Sequence, residues 1–384
     1  MREPVAVRVE GGAIESVEEA SGEAPAGALD LRGLTLLPGL VDAHTHVSSD
    51  LSRSPGFGPP PPLGGEPPRP PELRWFLLAE SARAFVEAGI TTVRDVGSPD
   101  DEGIVLREAV RLGIVPGPRV LACGRIISAT SPGGLLFGTM YREADGPWEA
   151  RRAVREQARR GADFVKLMAT GARSVLAEDP EPAQLTREEL RAIVDEAHRL
   201  GLRVAAHAEG LEGTRLAVEE GVDTVEHGLS LHRAPEVLEA MAERGIVLVP
   251  TLSTFHDLAE RFATDYAPAL VDQAKRQLEE AYATLAAAKA AGVRLAMGYD
   301  SGPPGANALE LVRMVEGGLT PLEGIAAATA EGAAALGLDG VGLLEHGYAA
   351  DLVALDGDPL ADVRVLTRPD AVRLVVRAGQ VVRR

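Results

Sequence analysis

The chain is poor in two residue types that often carry chemistry. Its 384 residues include one cysteine, Cys123, and only three lysines, leaving 36 arginines in a Lys+Arg total of 39. A single cysteine excludes an internal disulfide, and a cytoplasmic location is the expectation that follows. No apolar run approaches the roughly 20 residues needed to cross a bilayer, and the first residues, MREPVAVRVEGG, lack the basic start and apolar core of a secretory signal. An excess of positive charge is also missing. The net charge of -18 argues against nucleic acid or an anionic membrane as partner, since both reward clustered cations. A small-molecule partner is left, and nothing excludes self-association into a homo-oligomer.

The scarce lysines are placed unevenly. Lys275 and Lys289 lie in an Ala/Glu-rich stretch that reads as an exposed helix face, where a solvated charge needs no explanation. Lys166 ends the apolar run of GADFVKLMATG, where a charge does need one.

Apolar residues make up 45% and charged residues 25%, an ordinary globular balance. Both ends carry short alternating runs, such as VAVRVEGGAIESVEE and ADLVALDGDPLADVRVLTRPDAVRLVVRAGQVV. That texture predicts a composite β-sandwich built from residues 1–38 and 345–384. Between them, eight runs alternate with helical patterns: LLPGLVDAHTH, ITTVRDVG, PRVLACG, DFVKLMATG, LRVAAHAEG, VDTVEHG, IVLVPT and VRLAMGYDSG. Thr186 followed by Glu189 makes a capping box at one helix start, and Gly201 a stop. This rhythm predicts an α/β fold, a (β/α)8 TIM-type barrel over residues 39–344. A doubly wound open sheet has a similar period, but no GxGxxG turn follows the first strand. Two irregular stretches, 54–72 and 127–140, follow the first and third strands and are expected at the barrel mouth.

On such a barrel the reacting groups sit where strands end. The first run ends in His44 and His46, the fourth in Lys166, the fifth in His207, the sixth in His227 and the eighth in Asp300. His44 and His46, two residues apart on a strand, project to the same side and can share one ion. A lone histidine is more often a hydrogen-bonded structural residue, but four in strand order at strand ends make a metal centre. The other four, His198, His232, His256 and His346, read as ordinary residues of helices and loops, with His256 the one that overlooks the site.

Lys166 then acquires a purpose. A neutral lysine amine reacts with CO2 to give a carbamate, an anion whose two oxygens bridge two cations, whereas arginine keeps its proton. The competing use is a buried ion pair with Asp95 or Glu226. The ligands divide into His44, His46 and Asp300 on one ion and His207 and His227 on the other, with carboxylated Lys166 shared. Mixed nitrogen and oxygen donors favour Zn2+, with Mn2+, Co2+ or Fe2+ also accommodated. A hydroxide between the two ions attacks a polarised carbonyl, while Asp300 takes the proton and hands it to the leaving group.

PGLVDAHTH, FVKLMATG, AAHAEG, VEHG and GYDSG, in this order, resemble the metal-dependent amidohydrolase superfamily. TTVRDVG, PGPRVLACGRIIS, GLTPLEGIAAATAEGAAALGL and ADLVALDGDPLADV resemble its imidazolonepropionase-like branch, which includes the Xaa-Pro dipeptidases (prolidases). The resemblance implies the barrel with its sandwich, the binuclear site and the roles given to the six residues above. Imidazolonepropionases lack the strand-four lysine, so Lys166 points to the peptidase-like members. The chain departs from those members at SATSPGG, which lacks a histidine, at Phe255 in place of a tyrosine, and at Tyr299 in place of a threonine. Arg173, Tyr299 and His256 are the candidate substrate contacts, Arg173 as a clamp for an anion and Tyr299 as a narrowing of the pocket or a hydrogen-bond partner of the substrate. The expected activity is hydrolysis of an amide bond in a dipeptide, N-acyl amino acid or related small molecule. An ester, lactone or cyclic C-N bond at the same site is the alternative, and a silent binding protein on this scaffold is a third.

Overall fold

A computed structural model describes residues 5–20, 26–48, 70–172, 175, 177–261, 263 and 268–384. Arg173 and most of the proline-rich stretch 54–72 lie outside the described residues. Among the described residues, fifteen strands follow one another. β1 (Val5–Glu10) and β2 (Ala13–Glu19) form an antiparallel hairpin, and β3 (Thr35–Pro38) joins a different sheet. Next come β4 (Leu40–Thr45), β5 (Ile90–Asp95), β6 (Arg119–Ala122), β7 (Ile126–Ser128), β8 (Tyr141–Glu143), β9 (Phe164–Met168), β10 (Arg203–Ala208), β11 (Thr224–His227) and β12 (Val247–Val249). The chain closes with β13 (Leu352–Leu355), β14 (Val372–Arg377) and β15 (Gln380–Arg383).

The middle strands pair in parallel, β4-β5-β6 in one sheet and β12-β11-β10-β9-β7-β8 in another. β6 and β7 are one stave interrupted at Cys123–Arg125, where Gly124 takes φ +71, a conformation cheap only for glycine. β6 reaches β9 through Asp163 N donating to the Ala122 carbonyl at 2.9 Å. The eighth stave is the run 294–297. Leu248 N donates to the Arg294 carbonyl and Ala43 N to the Met297 carbonyl, so this run connects β12 to β4 and closes a barrel. A helix follows each stave, from Leu73–Glu87 after the first to Ala308–Glu316 after the eighth. The capping box at Thr186 and Glu189 forms as the sequence indicates. No described helix is long and apolar enough to cross a membrane.

β15-β14-β13-β3 is an antiparallel sheet from both ends of the chain, linked to the first hairpin by a bridge between Ala13 and Ala349. Side chains on a strand alternate between faces. Leu352 and Ala354 of β13 face a small core with Ile14 and Val376, while Val353 and Leu355 join the large core that holds Leu78 and Phe85 of the first barrel helix. One strand thus anchors the terminal sheet to the barrel. The stretch 127–140 is more ordered than a plain loop: it begins in β7, holds a short helix at Pro132–Phe137 and leads into β8, paired in parallel outside β7.

Barrel closure leaves no room beside the first stave. A Cβ at Gly298 would lie 2.3 Å from Val249 Cγ1 and 2.6 Å from His44 Cβ. Gly298→Ala is therefore expected to cost about 1 to 3 kcal/mol of stability, read as a lower denaturant midpoint. An unchanged midpoint would contradict so tight a seam.

Candidate metal centre

The end of β4 places His44 and His46 at the mouth, and the eighth stave brings Asp300 beside them. His44 Nε2 lies 3.6 Å and His46 Nε2 3.5 Å from Asp300 Oδ1. The His227 ring centroid is 5.1 Å from that of His44 and 4.6 Å from that of His207. One donor atom each from His44, His227 and Asp300 fall within 4.8 Å of one another, the spacing of groups able to hold one ion. The six residues singled out in the sequence are thus neighbours, with Lys166 acting electrostatically on all five others.

Each ring is held from behind. His44 Nδ1 donates to the Glu226 carboxylate at 2.6 Å, and His46 Nδ1 to the Gly97 carbonyl at 2.6 Å. His207 Nε2 donates to the Gly171 carbonyl at 3.3 Å, and His227 Nδ1 is 2.6 Å from Thr251 Oγ1. With the ring proton on the bonded nitrogen, Nε2 of His44 and His46 and Nδ1 of His207 each carry a lone pair. His227, Thr251 and Asp300 have φ of +70, +49 and +44. Left-handed backbone is costly for such residues and gathers where a side chain must be aimed. Asp42 supports the same seam, accepting from His44 N, Tyr299 N and the Asn307 amide.

Burial dominates the electrostatics. It drives His44 and His227 well below the ordinary imidazole range, His46 to about 4 and His207 to about 3. The same burial lowers the Lys166 amine, against the pull of Glu226, and raises the Asp300 carboxyl, against the pull of Lys166. Lys166 is 2% exposed and its Nζ has no hydrogen-bond partner among the described residues. The ion pair with Asp95 or Glu226 is not formed. Glu226 is engaged by His44, Arg94 and Thr224, and Asp95 by Ser98 and Val47 N.

Two candidate contacts are engaged within the fold. Tyr299 is 1% exposed and its hydroxyl donates to the Gly302 carbonyl at 3.0 Å. His256 is half-buried, with Nε2 2.9 Å from the Tyr282 hydroxyl. Among the supporting residues, Arg94, Gly97 and Thr251 carry no role in the sequence reading, and Glu226 enters it only as a candidate partner of Lys166. Arg94 and Glu226 left a signal, as charges inside the otherwise apolar runs TTVRDVG and VDTVEHG.

This cluster lies at the strand ends of a closed (β/α)8 barrel, and the chain is a hydrolase that belongs to the amidohydrolase family, whose pattern matches residues 35–382. Among its relatives, ochratoxinase of Aspergillus niger is 34% identical over 378 residues, 90% of this chain and 75% of that one. The crystal structure of a Xaa-Pro dipeptidase with bound methionine in the active site is 30% identical, with TM-score 0.86 over 98% of this chain and 94% of that one. Imidazolonepropionase of Symbiobacterium thermophilum is 27% identical over 85% of this chain and 76% of its own. Family membership makes this protein a hydrolytic enzyme acting on small molecules.

The buried imidazoles are expected to resist protonation. In metal-free protein the His46 ring proton followed by NMR should titrate near 4. A midpoint at the ordinary ~6.5 would contradict the burial and packing described.

Proposed function

We propose that this enzyme hydrolyses an amide C-N bond of a small substrate, such as a dipeptide or an N-acyl amino acid, with two divalent ions bound at the barrel mouth. One observation carries this: the Lys166 amine, buried without a hydrogen bond among the described residues, stands among neutral imidazoles and a carboxyl. An unpartnered buried amine is costly unless something is added to it. CO2 is the fitting addition, forming an N-C bond with loss of an amine proton and leaving an anion on Nζ.

His44, His46 and Asp300 would hold one ion and His207 and His227 the other, with the Lys166 carbamate between them. Zn2+ suits this donor set. When bound, the ions supply Lewis-acid polarisation of a carbonyl and acidify water toward neutral pH. Asp300 takes the proton from the attacking water at its carboxylate and returns it to the leaving nitrogen. A carboxyl whose affinity for protons is raised by burial suits that double duty. The Gly97, Gly171, Glu226 and Thr251 contacts keep the four rings aimed while the substrate enters. The similarity to the Xaa-Pro dipeptidase, and to a prolidase crystallised with N-methylphosphonate-L-proline at 30% identity and TM-score 0.85, supports an amino-acid-derived amide as substrate.

Zinc-reconstituted protein in bicarbonate buffer is expected to cleave members of a dipeptide and N-acyl amino acid library. Asp300→Asn should lower kcat by a factor on the order of 10² to 10⁴, and Lys166→Ala should regain part of its activity with added short-chain carboxylates. Turnover of esters or lactones with no amide cleaved would contradict the proposal.

A further inference from the structure

Under the histidine cluster lies a charged pair that the metal ligand set does not include. Glu226 on β11 and Arg94 on β5 both point into the barrel and are 0% and 2% exposed. Arg94 Nη2 donates to Glu226 Oε1 at 2.8 Å, Nη1 to Thr224 Oγ1 at 3.2 Å and Nε to the Ala43 carbonyl at 2.6 Å. Its guanidinium carbon sits 5.2 Å from the Phe164 ring centroid. Thr224 Oγ1 donates to Glu226 Oε1 as well. The other oxygen, Oε2, accepts from His44 Nδ1 at 2.6 Å.

A buried ion pair is seldom a gain in stability over apolar packing, so its presence in a barrel core calls for another use. The neighbouring rings supply a comparison. His46, His207 and His227 hydrogen-bond to a carbonyl, a carbonyl and a hydroxyl, with the Glu209 carboxylate beyond hydrogen-bond range at 3.6 Å from His207 Nε2. His44 contacts a carboxylate whose other oxygen is fixed by two donors. A carboxylate that can only accept requires the proton on Nδ1 and raises the basicity of Nε2, the atom that faces Asp300.

We propose that Glu226 is a positioning residue that locks His44 in its Nδ1–H form, with Nε2 free for a cation, and that Arg94 and Thr224 orient Glu226 for this task. The inference rests on the metal-centre reading above. It also accounts for the unpaired Lys166 amine, because both Glu226 oxygens are already engaged by other donors.

The pair makes Glu226→Gln informative. Arg94 offers only donors to the inner position, and the Thr224 hydroxyl, which accepts from Arg94 Nη1, turns its O–H the same way, so the amide oxygen turns toward them and its NH2 faces His44. His44 Nδ1 must then accept, which moves the ring proton to Nε2 and removes the free lone pair. Nitrogen-15 NMR of metal-free protein is expected to show His44 protonated at Nδ1 in the unaltered chain and at Nε2 in Glu226→Gln. Zinc affinity measured by chelator competition should fall roughly 10- to 100-fold. Glu226→Asp keeps a charge beside Arg94 but withdraws it from His44, and its zinc affinity should fall as well. Three results would overturn the proposal: Nε2–H in the unaltered protein, unaltered zinc affinity in Glu226→Gln, or full zinc affinity in Glu226→Asp. The last would assign Glu226 to neutralising Arg94 alone. If the unaltered protein takes up no zinc, the proposed function fails, while the NMR comparison still decides the role of Glu226.

Discussion

The amine of Lys166, a residue buried to 2% exposure and without a hydrogen bond among the described residues, is the constraint around which the barrel mouth is arranged. Burial lowers the proton affinity of Lys166, and its charge when protonated would act on every histidine of the cluster. Such a group is tolerated in a core only if its neighbours leave it uncharged or a bound species compensates it. The neighbours follow that rule. The imidazoles are held neutral, the Asp300 carboxyl is pushed upward, and the nearby Glu226 is bound to Arg94, Thr224 and His44 instead of to the amine.

Aiming these groups requires backbone that is costly to hold. His227, Thr251 and Asp300 adopt left-handed φ, and the His227 to Thr251 contact ties two of them together. The barrel makes this sustainable, because the seam between the eighth stave and β4 is fixed on both sides. Asp42 accepts from His44 N and Tyr299 N there, and the absence of a side chain on Gly298 lets the staves meet. The terminal sheet adds to this rigidity, since β13 packs one face against the first barrel helix.

Much of this was legible in the sequence, for a simple reason. Each apolar run ending in a polar residue encodes a stave and its terminal side chain together, so the eight runs located both the barrel and His44, His46, Lys166, His207, His227 and Asp300. Other features depend on contacts between residues far apart in the chain. Arg94 and Glu226 are 132 positions apart, and neither run alone indicates that they meet. Tyr299, expected near the substrate, turns into the fold and bonds to Gly302. The helix and strand after β7 are not legible in the sequence because SPGG reads as a turn, while the pairing with β7 is set by the finished sheet.

The central claim is that a lysine is retained at position 166 because it alone among basic side chains can become a bridging anion. Carbon-13 NMR of zinc-loaded protein equilibrated with 13C-bicarbonate tests it most directly. One carbamate carbon per chain, absent from Lys166→Arg, is the predicted result. Two bound zinc ions with no carbamate signal would contradict it.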